Sequence, residues 1–170
     1  MEIRRPDLKD KEAVIRLVDE FVAAHSYMHG GLGSTWQLAE SYEDWLELIK
    51  QQEKGQNLPA DWLPAIQFLA FDEDSQLVGF LSLRLSLNER TFLDGGHVGY
   101  SIRPSRRRQG LGKALLGEGL KEAKKLGLEH LLITCEADNI ASRKTILANG
   151  GVYDNTIEGV ERYWLDLEGL

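Results

Sequence analysis

The stretch that decides the fold runs from His97 to Ala114 and reads HVGYSIRPSRRRQGLGKA. Val98, Tyr100 and Ile102 alternate with small or polar residues, which is typical of a β-strand. Four arginines and two glycines follow, and an amphipathic helical pattern begins near Gly112. This order brings positive side chains to the first turn of a helix, where N–H groups are free and the helix dipole is positive. The stretch therefore predicts a phosphate-binding site.

Hydrophobic periodicity on both sides of this stretch predicts the remaining elements. Helices are predicted over Leu8–Ala24, Tyr42–Gln52, Leu111–Leu126 and Asn139–Asn149. Strands are predicted over Glu2–Arg5, Ala65–Phe71, Leu77–Leu85, His97–Ile102, His130–Cys135, Val152–Thr156 and Arg162–Leu167. We expect an α/β (α+β) fold, with one central, mixed and mostly antiparallel sheet flanked by helices on both faces. His130–Cys135 is nearly all apolar, so we expect a central strand covered on both faces.

Length and composition predict one globular domain over residues 1–170, of which 42% are hydrophobic and 28% charged. The net charge of −7 argues against general affinity for nucleic acid or an anionic membrane. No apolar run approaches the roughly 20 residues that span a bilayer. The first residues, MEIRRPDLKD, do not resemble a signal peptide, so we expect a cytoplasmic protein.

Two familiar phosphate-binding motifs do not fit the stretch. A P-loop would need glycine at position 107 and serine or threonine at position 114, where Arg107 and Ala114 stand. A dinucleotide fingerprint would need glycine or alanine at position 115, where Leu115 stands, and a run of parallel strands that the pattern lacks. The sequence therefore gives little support to a nucleotide-dependent enzyme.

No metal site is predicted. His25 and His29 are four residues apart, but Ser26 stands where the helix of a metalloprotease has glutamate. The single cysteine, Cys135, lies in an apolar strand and is predicted to be a packed core thiol.

Two blocks of the sequence resemble the GCN5-related N-acetyltransferase (GNAT) family. Arg107–Gly112 has the form [RQ]-x-x-G-x-[GA] of that family's acyl-CoA-binding motif and lies at a strand-to-helix junction. Ile133–Ser142, followed by a helix that ends at Gly151, is similar to its second motif, a strand, N-x-x-[AS] and a helix. The resemblance spans about Gln76–Leu167 and is greatest to a group of poorly characterised bacterial acetyltransferases.

The resemblance implies a binding site for acetyl-CoA. The main chain of Ile102 and Arg103 would pair with the pantetheine amide, and the strands carrying Ile102 and Cys135 would splay apart to admit the arm. N–H groups near Gly110 would hold the pyrophosphate, with Arg107 or Arg108 reaching its oxygens. The full candidate set is Ile102, Arg103, Arg107, Arg108, Gln109, Gly110, Leu111, Gly112, Lys113, Asn139 and Ser142, the last two on the pantetheine arm.

The resemblance also implies the reaction, in which an amine of a small molecule or a peptide attacks acetyl-CoA directly within a ternary complex. His97 and Glu136 lie at strand ends on either side of the expected cleft and are the candidate catalytic bases. A homodimer is possible, since dimers are common among similar proteins.

The tyrosine that usually serves the family as general acid is absent, because Ile146 stands at its position. Either the thiolate leaves unaided or another group, such as Tyr100 or Tyr153, replaces the missing acid. The missing tyrosine also supports the alternative of a non-catalytic module that senses acyl-CoA.

Overall fold

The computed structural model describes all 170 residues, which form seven strands and six α-helices. The strands are β1 (Glu2–Arg4), β2 (Ile66–Phe71), β3 (Leu77–Leu83), β4 (Val98–Ile102), β5 (His130–Glu136), β6 (Val152–Ile157) and β7 (Val160–Asp166). The α-helices are α1 (Lys11–Ala23), α2 (Leu32–Thr35), α3 (Tyr42–Glu53), α4 (Glu89–Leu93), α5 (Leu111–Lys125) and α6 (Ile140–Ala148). Single 3-10 turns lie at Leu8–Asp10, Trp36–Leu38 and Pro104–Arg106.

All paired strands are antiparallel, and they form two sheets, with the orders β1-β2-β3-β4 and β5-β7-β6. The predicted α/β fold class is confirmed, but the expected single sheet is divided between β4 and β5. As a result β5 pairs with β7 alone. Its centre is nevertheless buried at Leu131, Leu132 and Ile133, as its apolar sequence predicts.

Helices cover the first sheet on both faces. The apolar stripe of α1, including Leu17 and Phe21, packs together with α3 against one face of β2 and β3, which includes Phe80. The stripe of α5, including Leu115 and Leu120, packs on the opposite face and extends the core to the second sheet. The junction of β4 with α5 therefore lies between two rigid layers.

Two short helices, α2 and α4, lie where no helix is predicted. The first begins within the predicted loop Gly30–Ser34, and the second follows β3. Helices of four or five residues contain too few turns to show a repeating apolar pattern, which explains why periodicity misses them. None of the helices is long and apolar enough to cross a membrane.

Candidate active site

Strands β4 and β5 are joined beside His97 and form no ladder beyond it. The N–H of His97 donates to the carbonyl of Leu132 at 2.8 Å, and the N–H of Leu132 donates to Nδ1 of His97 at 2.9 Å. Gly96 has a φ of +59°, and a Cβ there would collide with the Leu132 carbonyl. This contact fixes one end of β4 against β5, and the edge of β4 beyond it pairs with no strand.

The unpaired edge of β4 belongs to Tyr100 and Ile102. His97 and Arg103 bond through their main chains to the side of β3, at 2.7 and 2.9 Å. Because antiparallel bonding alternates along a strand, Val98, Tyr100 and Ile102 direct their main-chain groups away from β3. The prediction that Arg103 offers its main chain is thus corrected, because its N–H is already bonded to β3. The available groups are the N–H and carbonyl of Tyr100 and the N–H of Ile102, whose carbonyl accepts a bond from Arg107.

The N-terminus of α5 presents unpaired donors. Gly110 precedes the helix with a φ of +76°, and no side chain caps it. The first N–H bonded within the helix is that of Ala114, so those of Leu111, Gly112 and Lys113 remain free. A Cβ placed on Gly110 would meet no atom within 4 Å. The helix therefore opens onto space where an anion fits against N–H groups and a positive dipole.

Most of the four arginines between Arg103 and Arg108 bind other groups of the protein. Three of them have internal partners: Arg103 binds Glu20, Arg106 binds Asp72 and Gln109, and Arg107 binds the carbonyl of Ile102 and Ser26. Arg107 thus turns back toward β4 and not toward the mouth of α5. Arg108 is exposed, has a φ of +61° and belongs to no ion pair, so it is the arginine with a guanidinium available to a phosphate.

The N-terminus of α6 faces β4 through Tyr100. Asn139 caps the helix by accepting the N–H of Ser142 at 3.1 Å. The hydroxyl groups of Tyr100 and Ser142 lie 3.2 Å apart, which joins β4 to α6. Burial raises the pKa of Tyr100 above its ordinary value, so this phenol stays protonated at neutral pH. Tyr153 differs, because it is largely exposed on β6 and bonds to Thr156.

The structure gives His97 a position that disfavours proton transfer. The side chain is 7% exposed, and its Nδ1 already accepts the N–H of Leu132. Burial, aided by the nearby Arg84 cation, holds the pKa of His97 below its ordinary value. We therefore assign His97 a structural role, the joining of the two sheets, in place of the predicted role as base.

We expect His97→Ala to destabilise the fold. Leaving the buried N–H of Leu132 unpaired should lower the free energy of unfolding by about 2 kcal/mol, measured by urea denaturation at pH 7.5. In the wild type, the pKa of His97 is lower in the folded chain than in the unfolded chain. As the pH falls, the unfolded chain therefore binds a proton to this histidine at a higher pH than the folded chain does. Stability should therefore decrease as the pH falls below about 6.5, by up to about 1.4 kcal/mol per pH unit.

The decrease in stability at low pH should be smaller in His97→Ala than in the wild type. The pH profile of its residual turnover should match that of the wild type. If His97→Ala is as stable as the wild type but its turnover no longer falls at low pH, His97 acts as the catalytic base.

Glu136 lies on the face of β5 that points away from the core covered by α5, within electrostatic range of His29. The glutamate ends β5 and is exposed. Burial lowers the pKa of His29, and the carboxylates of Glu136 and Asp94 oppose that shift, which places all three groups in one electrostatic neighbourhood. Sequence reasoning did not identify His29 as a neighbour of these carboxylates, because its spacing from His25 raises only the question of a metal site.

The segment that carries His29 lies flat on β4. Ser101 donates its hydroxyl to the His29 carbonyl at 3.0 Å, and Gly30 follows with a φ of +90°. A Cβ on Gly30 would lie 2.9 Å from Cα of Tyr100, so only glycine permits this approach. The segment thus covers β4 on the side opposite α5.

The structure contains no group of three or more histidine, cysteine or acidic side chains that could hold a metal ion. Cys135 is buried, and burial with the nearby Glu161 carboxylate raises its pKa to about 11. Its thiol is therefore protonated and packed.

Comparison with known proteins agrees with this geometry. The model of the acetyltransferase (GNAT) family matches residues 34–150, more than half of the chain. No curated protein sequence matches. Among solved structures, a ribosomal L7/L12 α-N-protein acetyltransferase in complex with coenzyme A is 19% identical, with a TM-score of 0.66 over 96% of this chain and 92% of that chain.

Two further solved structures share the fold. A spermidine N-acetyltransferase chimera from Vibrio cholerae is 18% identical, with a TM-score of 0.62 over 99% of this chain and 98% of that chain. The PaiA N-acetyltransferase from Thermoplasma acidophilum, in complex with coenzyme A, is 21% identical, with a TM-score of 0.58 over 97% of this chain and 98% of that chain. Fold and site thus define an acetyltransferase. The chain belongs to the GNAT acetyltransferase family.

Proposed function

We propose that this protein is an N-acetyltransferase that transfers an acetyl group from acetyl-CoA to a primary amine by direct attack in a ternary complex. One observation carries the proposal: the uncapped mouth of α5 at Gly110 lies at the end of the same strand, β4, whose edge is unpaired at Tyr100 and Ile102. Diphosphate and pantetheine amides are the two parts of coenzyme A that such groups bind.

The residues at the mouth of α5 fit the diphosphate. The N–H groups of Leu111, Gly112 and Lys113 would donate to its oxygens, with the helix dipole adding to their effect. Arg108 would add a charge-assisted bond. The free main-chain groups of Tyr100 and the free N–H of Ile102 would hold the pantetheine arm as a neighbouring strand would.

Proton transfer is assigned to groups on opposite faces of β4. An amine with an ordinary pKa near 10.4 must lose a proton before it attacks. Glu136, with His29 beside it, would accept that proton on the exposed side. Tyr100 is protonated and lies at the pantetheine side, so it would donate a proton to the departing thiolate in place of the missing tyrosine at Ile146. An N–H at the edge of β4 would stabilise the oxyanion.

The test is release of free thiol from acetyl-CoA with a panel of polyamines, amino acids, aminoglycosides and peptides. The proposal expects release that depends on both acetyl-CoA and an acceptor. Tight binding of acetyl-CoA by calorimetry with no release across the panel would favour the acyl-CoA-sensing module. A melting temperature that rises with ATP or NAD but not with acetyl-CoA would favour a nucleotide-dependent enzyme.

We expect Glu136→Gln to reduce turnover with little effect on acetyl-CoA affinity. Loss of a general base typically costs about 100-fold or more, measured as kcat for the best acceptor of the panel. The matched control is Asp138→Asn, which removes an exposed carboxylate two residues away. Equal turnover in Glu136→Gln and the control would remove Glu136 from the mechanism.

A further inference from the structure

A buried arginine that the proposed mechanism does not use lies on the acceptor side of the second sheet. Arg162 is at the centre of β7 and is only 2% exposed. Its neighbours across the sheet are Thr134 on β5 and Asn155 on β6, whose Cα atoms pair with its own. The ring of Phe92, on α4, covers the guanidinium, with 4.1 Å between Cζ and the ring centroid.

Arg162 lacks the anion that a buried guanidinium normally has. Its Nε is buried without a hydrogen-bond partner, and none of the ion pairs in the protein includes it. The only other buried side-chain atom without a partner is Oδ1 of Asn155, its neighbour in the sheet. A buried charge without a partner costs several kcal/mol, and the cation–π contact with Phe92 offsets only part of that.

A second arginine without an ion pair, Arg84, lies close to the sheet neighbours of Arg162. Thr134 accepts the N–H of Gly95 at 2.8 Å, and a Cβ on Gly95 would lie 3.8 Å from a nitrogen of Arg84. Arg84 is half-buried, bonds only to the carbonyl of Gly96 at 3.1 Å and forms no ion pair. Gly95 therefore lies beside the Arg84 guanidinium and bonds to Thr134, the sheet neighbour of Arg162, and neither arginine forms an ion pair.

The distance to the proposed base defines what could bind there. Thr134, the neighbour of Arg162, and Glu136 lie two residues apart on β5 and share one face. Two residues of a strand span about 6.6 Å. A molecule with its amine at Glu136 would thus place a group about six to eight ångströms away beside Arg162.

Phe92 is the group that such a ligand would displace. The ring is 42% exposed and belongs to a helix of only five residues. Gly95 and Gly96 follow that helix, and both have a positive φ, a conformation that favours glycine. Rotation of one exposed ring would open the guanidinium to the acceptor side.

We propose that Arg162 binds a carboxylate of the acceptor, so that the substrates are amines that carry a carboxylate several bonds from the reacting nitrogen. The guanidinium fork matches a carboxylate with two parallel hydrogen bonds. Asn155 and Thr134, on either side, would orient the same group. This inference rests on the proposed function, because it concerns the acceptor of that reaction.

The test compares matched acceptors that differ only in charge, 6-aminohexanoate and 6-aminohexanamide, with calorimetry in the presence of coenzyme A and with kcat/KM. The wild type should prefer the acid by about 10-fold or more. In Arg162→Met, which removes an unpaired cation at similar volume, the ratio should fall to about one. Arg162→Lys keeps the charge but not the fork and should give an intermediate ratio.

Arg16→Met, which removes an exposed arginine on α1, is the control for net charge and should retain the wild-type ratio. Circular dichroism melting confirms that each variant is folded. A wild type that binds acid and amide equally, or binds neither, overturns the inference. Failure of coenzyme A itself to bind would instead overturn the proposed function, so the two failures are distinguishable.

Discussion

Gly110→Asp should reduce the affinity for acetyl-CoA about 100-fold or more, because a carboxylate at the mouth of α5 faces the diphosphate and like charges this close cost several kcal/mol. The variant should remain folded. A Cβ at Gly110 meets no atom within 4 Å, and an acidic residue at a helix N-terminus interacts favourably with its dipole. Calorimetric titration with acetyl-CoA measures the loss directly.

Two control variants separate charge from backbone strain. Gly110→Asn has nearly the same shape without the charge and tolerates the left-handed conformation, so its affinity should fall less than about 10-fold. Gly127→Asp introduces the same residue at the other end of α5, where φ is +92° and a Cβ again meets nothing. It should lower stability but not cofactor affinity. If Gly110→Asp binds acetyl-CoA as the wild type does, the mouth of α5 is not the cofactor site.

Tyr100→Phe should lower kcat about 100-fold while the KM for acetyl-CoA changes little. The substitution keeps the ring that packs between β4 and α6 and removes only the hydroxyl beside Ser142. In the wild type, the raised pKa of Tyr100 keeps the phenol protonated well into the alkaline range, so a proton is available to the leaving thiolate. The measurement is single-turnover thiol release at saturating acetyl-CoA.

The control is Tyr153→Phe, which removes a hydroxyl from the exposed face of β6. It should turn over as the wild type does. This pair decides between the two tyrosines that the sequence leaves open. Turnover of Tyr100→Phe within about threefold of the wild type would show that the thiolate leaves without an acid.

The sequence predicts the strand and the helix start that frame the proposed cofactor site, but not the partners of the side chains around them. The alternation in β4 and the glycines before α5 are local patterns, so they indicate a strand and a helix start before the pairing of β4 with β3 is known. The arginines show the opposite case. Arg103, Arg106 and Arg107 look alike in the sequence, but Glu20, Asp72 and Ser26, which bind them, come from distant parts of the chain.

The same difference explains the residues that periodicity did not find. His29 lies against β4 because Gly30 lets its segment approach that strand, and Arg162 is buried because α4 folds over it. His97 appears as a polar residue at a strand end, and only the position of Leu132 shows that it joins two sheets. No pattern of nearby residues contains these contacts.

The amino-acid order by itself determined most of the element types, the class of fold and the glycine-led start of α5, because each depends on residues within a few positions of one another. The tertiary structure alone decided which arginine is free, which tyrosine lies at the cleft and which buried cation lacks an anion. Those properties depend on burial and on partners distant in sequence, and they exist only once the chain has packed.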